Sequence, residues 1–137
     1  MWKLYAVLSA VFAALTAILA KIGIRGVNSN LATAIRTVVI LFIAWGIVLA
    51  SGEVKNIREL SKRNLLFLGL SGIATGLSWI FYFKALSDGP VSKVAPIDKL
   101  SVAFAIILGL IFLKEPVDGK VVVGGLLILA GTIVLIQ

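Results

Sequence analysis

Long apolar runs alternate with short polar breaks along this chain. Five runs stand out: Leu4 to Ala20, Leu31 to Ala50, Leu65 to Leu86, Val91 to Leu113, and Val121 to Gln137. Each is close to the ~20 residues a helix needs to cross ~30 Å of hydrocarbon. Lipid offers no water to the backbone, so the amide and carbonyl groups must bond within each segment, and helices are the default. The pattern predicts an all-α membrane protein, a bundle of five transmembrane helices in one domain over 1–137. The helices are expected roughly at 3–22, 31–50, 64–86, 91–113 and 119–137.

The breaks carry cap and turn chemistry. Asn28, Ser29 and Asn30 offer caps for the second helix, and Ser61 and Asn64 for the third. Asp88-Gly89-Pro90 is a sharp stop, with Ser92 a candidate cap for the fourth helix. Glu115 to Gly119 reads as a tight hairpin, with Asp118 as the cap of the fifth. Between Ser51 and Asn64, Val54, Ile57 and Leu60 recur every third residue. This fits either a short helix in the membrane interface or an ordinary loop. The first run has a basic start and small residues near its end, as a signal peptide does. Four more spans follow it, so a retained helix is expected.

Composition sharpens the membrane reading. The chain is 61% hydrophobic and only 14% charged over 137 residues, and its mean hydropathy is +1.14. A soluble domain is about a quarter charged, so a water-facing surface could not be covered. The net charge of +7 does not point to nucleic acid, because the basic residues sit mainly at the ends of the apolar runs, where they meet headgroups and water. With no cysteine and no histidine, disulfides, thiol chemistry, the commonest zinc ligands and an imidazole proton relay are absent. No nucleophile–base pair, Gly-rich phosphate loop or metal cluster emerges, so neither an enzyme nor a cofactor is expected.

Five spans put the termini on opposite sides. One side receives Lys3, Lys55, Arg58, Lys62, Arg63, Lys114 and Lys120, which is seven; the other receives Lys21, Arg25, Arg36, Lys84, Lys93 and Lys99, which is six. Setting aside Arg36 and Lys99, which lie inside spans, leaves seven against four. The positive-inside rule favours a cytoplasmic N-terminus, with a bias weak enough to permit both orientations.

Charges inside the spans cost about 2.5–3.5 kcal/mol each on insertion scales. Arg36 lies near the start of the second helix, and Asp98 and Lys99 near the start of the fourth. Both helices begin on the same side, so the groups sit at similar depth. Asp98 and Lys99 are ~100° apart around a regular helix and are expected not to face each other well. Two readings stand. In one, Arg36 and Asp98 approach each other beside a wet cavity, with Lys99 near it. In the other, Arg36 and Lys99 snorkel to the interface and Asp98 caps a helix broken at Pro96. Pro96 itself either frees backbone groups to line a cavity or is tolerated in a first turn. Trp79 and Tyr82, with Phe83 on the Trp79 face, either line a pocket for organic substrates or belong to the interfacial aromatic belt. Small residues mark faces for close helix approach: Ser9, Ala13 and Ala17 in the first helix, the Gly72–Gly76 pair in the third, and Gly124, Gly125 and Gly131 in the fifth.

These pieces, in order, resemble a single EamA-type unit of the drug/metabolite transporter superfamily over essentially the whole chain. The resemblance is carried by Ala34-Ile35-Arg36, by Trp79 to Leu86, by Ser92 to Val102, by Leu113-Lys114-Glu115-Pro116 and by Gly124 to Gly131. It implies a multi-pass cell-membrane transporter of small organic solutes, metabolite or drug-like, working by alternating access. The candidate substrate-binding set is then Arg36, Trp79, Tyr82, Asp98, Lys99 and Ser101. Typical members carry two such units; this chain carries one of the five-helix bacterial and archaeal type. That implies a homodimer, with the second copy inserted upside down as in the similar small multidrug resistance proteins. Those proteins couple to protons through an acidic residue in their first helix. The first helix here has none, and Asp98 is the acidic residue within a span that is able to substitute. Two other readings are an accessory subunit of a membrane complex, and translocation of a lipid or lipid-linked sugar, whose phosphate would meet Lys99 and Arg36.

Overall fold

The computed structural model describes residues 1–116 and 118–137. Val117, at the centre of the expected hairpin, lies outside the described residues. The architecture is helical throughout, with no strand among the described residues. Helix α1 spans Trp2–Gly23, α2 Ser29–Ser51, α3 Lys62–Asp88, α4 Val91–Asp98, α5 Leu100–Leu108 and α6 Gly119–Ile136. A 3₁₀ helix, Glu53–Glu59, joins α2 to α3, and a single π turn, Gly109–Leu113, ends α5. With α4, α5 and the π turn counted as one span, Val91–Leu113, five segments are long and apolar enough to cross a membrane. Their outward side chains are mostly apolar and exposed, which is unfavourable in water and required in lipid.

The helix ends follow local rules. Asn28 accepts hydrogen bonds from the amides of Asn30 and Leu31, and Ser61 Oγ accepts from the amide of Asn64 at 3.1 Å. Asp118 Oδ1 accepts from the amide of Val121 at 2.9 Å and caps α6. Gly52 closes α2 with φ +72°, a left-handed position that glycine occupies without steric cost. Ser92 is not a cap: α4 begins after Pro90, which supplies no side-chain bond. A proline preset near −70° and lacking an amide suits that entry by itself.

The residues group into two compact units. One holds Leu19–Ser87; the other holds Met1–Ile18 with Asp88–Gln137. In the first, Lys21 Nζ donates to the carbonyl of Leu86. The cation therefore meets an orphan carbonyl in the last turn of α3, where the helix dipole favours positive charge. In the second, α6 packs on α4 and α5. Gly125 lies beside Ile106 and Thr132 beside Pro96, so α6 runs antiparallel to them. A methyl on Gly125 would come within 3.2 Å of Ile106 Cδ1, so this glycine does permit close approach.

The fourth span departs from the regular helix expected for it. Its break falls at Lys99, three residues after Pro96. The Lys99 amide bonds to the Pro96 carbonyl at 3.0 Å, and the Val102 amide to the Lys99 carbonyl at 3.0 Å. Both bonds reach back three residues rather than four, which tightens the turn. Thr132 Oγ1 also donates toward the Pro96 carbonyl at 3.3 Å.

Candidate functional site

Threonine hydroxyls cannot stay unsatisfied in lipid. On α2, Thr33 Oγ1 donates to the carbonyl of Ser29 at 2.9 Å and Thr37 Oγ1 to that of Thr33 at 2.7 Å. On α3, Thr75 Oγ1 donates to the carbonyl of Ser71 at 2.9 Å. These hydroxyls fold back on their own helices and leave space beside them. Within the Leu19–Ser87 unit, α2 and α3 flank an open groove of about 730 Å³. Asn30, Thr33, Ala34 and Thr37 line it from α2, at the spacing of one helical face. Leu68, Ser71, Gly72, Thr75, Gly76, Trp79 and Ile80 line it from α3, again a single face.

The two glycines of the Gly72–Gly76 pair open onto this groove. A methyl group on either would meet nothing within 4 Å. Among the described residues of this chain the pair seats no neighbouring helix, and the missing side chains leave open space beside α3.

Arg36 lies beside Trp79 but is not among the residues that line the groove. Its guanidinium carbon lies 4.7 Å from the centre of the Trp79 ring and 4.7 Å from that of Phe83. Trp79 and Phe83 are one turn apart on α3, so they present adjacent rings to one cation. Such contacts contribute about 0.5–2 kcal/mol each, more where water is excluded. Within its own unit Arg36 pairs with no carboxylate, and the aromatic faces take that place. Phe83 is buried at 2% exposure. Tyr82 packs edge-on against it, with centroids 6.2 Å apart at 66°.

The structure thus brings Arg36, Trp79 and Tyr82 into one cluster around Phe83. Asp98, Lys99 and Ser101 belong to the other unit. There Lys99 Nζ lies 3.5 Å from Asp98 Oδ2. This corrects the expectation that the two face apart: the long Lys99 side chain reaches back to its neighbour. Asp98 does not cap α5 either: the cap position is Lys99, with no side-chain bond. Ser101 is exposed in the first turn of α5.

Sequence reasoning placed Phe83 on the Trp79 face but passed over the hydroxyl stripe. Its signal was readable: Thr33 and Thr37 stand four apart, and so do Ser71 and Thr75, beside Gly72, Gly76 and Trp79 on one face. No group of three or more metal-ligating side chains occurs among the described residues.

Five apolar spans define a multi-pass helical membrane protein, and the open groove beside α2 and α3 is of solute size. The chain belongs to the EamA-like transporter family, whose profile matches residues 1–137, and is accordingly a membrane transporter. A curated relative from Sinorhizobium sp, described as an uncharacterized transporter in the cobO 3' region, is 48% identical over 134 residues. That match covers 98% of this chain and 95% of the relative. No solved structure matches the chain significantly.

Proposed function

We propose that the protein carries small organic solutes across the cell membrane by alternating access, with the α2–α3 groove as the substrate site. The groove of about 730 Å³ carries this reading. It is large enough for a metabolite-sized molecule, with a mostly apolar wall and a few hydroxyls along it, as small-molecule sites have. Trp79 lines one end, with Arg36 and Tyr82 in the cluster beside it. Asp98 is the group proposed to carry a coupling proton, with Lys99 holding its charge and Ser101 one turn further along.

A single five-helix unit is half of the usual two-unit arrangement of this superfamily. We therefore propose a homodimer, with inverted insertion of the second copy favoured by the weak charge bias.

Reconstituted liposomes test the reading. Flux of a metabolite panel into vesicles is expected with the wild type, and is expected to fall about tenfold or more in Gly76→Leu at equal protein content. Equal flux in the variant overturns the assignment of the cavity. Asp98→Asn is expected to retain substrate binding and counterflow while losing response to an imposed proton gradient. An unchanged response removes Asp98 from coupling.

A further inference from the structure

The 3₁₀ helix Glu53–Glu59 lines no part of the groove, yet its side chains are sorted by chemistry. At three residues per turn, positions three apart eclipse. Val54 and Ile57 therefore share one face, which Leu60 continues just past the helix. Lys55 and Arg58 share a second face, and Glu53, Asn56 and Glu59 a third. A regular α-helix would smear each row by ~60° per step. Gly52, at φ +72°, turns the chain out of α2 where this helix begins. Val54, Ile57 and Leu60 are 38%, 44% and 38% exposed although they lie outside the five spans. Water offers such a face nothing to bury against, whereas the apolar edge of a bilayer does.

The cations are open as well. Lys55, Arg58 and Lys62, at the start of α3, are exposed and form no ion pair among the described residues, although Glu53 and Glu59 stand close by in sequence. Arg63 differs, because its guanidinium lies over the Phe67 ring at 5.8 Å. An apolar face beside an unpaired basic face complements the headgroup layer of an anionic bilayer. The apolar side chains enter the acyl boundary while the cations meet lipid phosphate. Arg58 adds a planar fork of N–H groups that matches phosphate oxygens.

We infer that the Glu53–Glu59 segment, together with Lys62, is a binding site for anionic phospholipid headgroups, which hold the α2–α3 connection in the membrane interface. The inference depends neither on the groove nor on transport.

Thermal unfolding of the purified full chain in detergent, titrated with dioleoylphosphatidylglycerol or dioleoylphosphatidylcholine, tests it. The two lipids share their acyl chains and differ in the headgroup. Phosphatidylglycerol is expected to stabilise the chain at concentrations at least about tenfold lower. Each cation at an anionic surface accounts for about fivefold in affinity. Lys55→Gln, Arg58→Gln and Lys62→Gln together are therefore expected to erase the preference. Lys114→Gln with Lys120→Gln, which five spans place on the same side of the membrane, is expected to leave it intact. Ile57→Asn is expected to weaken both lipids by a similar factor and keep their ratio. If the triple change does not fold, Arg58→Gln alone carries the test, with about fivefold loss for phosphatidylglycerol and none for phosphatidylcholine. Absence of a headgroup preference in the wild type overturns the inference. Equal loss in the Lys114 and Lys120 variant does so too, because it marks a general attraction to positive charge. The same shift produced by millimolar inorganic phosphate without lipid overturns the assignment to a bilayer lipid.

Discussion

Arg36 shows how a single charge is held within a membrane span. Within its unit, two aromatic faces replace the carboxylate that a soluble protein would place there. The arrangement separates the roles of its two partners. Phe83 is buried at 2% exposure, whereas Trp79 is half-buried on the cavity wall. Phe83→Ala is therefore expected to lower thermal stability by a few kcal/mol, through lost packing as much as lost cation–π contact. Trp79→Leu is expected to cost less than about 1.5 kcal/mol and to impair solute binding more than folding. Unfolding midpoints in detergent, measured beside ligand binding, check both. Equal stability losses would contradict the division of labour. The sequence made Arg36 and Trp79 visible as costly or distinctive residues inside spans. Phe83 was legible only as a neighbour on the Trp79 face, and its meeting with Arg36 was not, because that contact joins two helices.

Among the elements, α3 is the most informative. Its cavity face carries Ser71, Gly72, Thr75, Gly76 and Trp79, and its opposite face carries Leu66, Leu70, Ile73, Leu77 and Phe81. The glycines gain no packing from their size, since a methyl group there meets nothing within 4 Å. Replacing either by alanine removes unfolded-chain freedom at no steric cost. Gly72→Ala and Gly76→Ala are each expected to leave stability unchanged or raise it by roughly 0.5–1 kcal/mol, while narrowing the cavity and lowering flux. Loss of stability would indicate a packing role instead. Thr132 in α6 gives the contrasting case, because its hydroxyl also reaches the Pro96 carbonyl across to α4. Thr132→Val is expected to cost about 0.6 kcal/mol, the usual scale for an interhelical bond in lipid. Apolar periodicity located the spans, and turn residues located most of their ends. It did not show the break at Lys99. That break depends on three-residue bonding after Pro96, and a proline early in a helix is equally compatible with an unbroken one. The small-residue pairs had the same ambiguity, since Gly-xxx-Gly looks alike whether it seats a helix or opens a cavity.

For the whole molecule, the membrane location was legible at once from apolar length and charge content. The cavity was not, because it requires α2 and α3 to present their hydroxyl-bearing faces to the same space. Assembly belongs to this scale too. Compartment-specific reporters fused to the C-terminus are expected to show activity on both sides of the membrane if inverted insertion operates. Activity on one side alone favours a parallel dimer or a partner chain.

The account stands on the α2–α3 cavity being a watery solute site, and the chain offers a direct way to ask. It contains no cysteine, so a single introduced thiol reports on one position. Thr75→Cys on the cavity wall and Ile73→Cys on the opposite face of α3 are to be treated, in sealed vesicles of both orientations, with a membrane-impermeant methanethiosulfonate. Modification at position 75 and protection at position 73 is the expected result. Protection of both, or equal modification of both, contradicts the account.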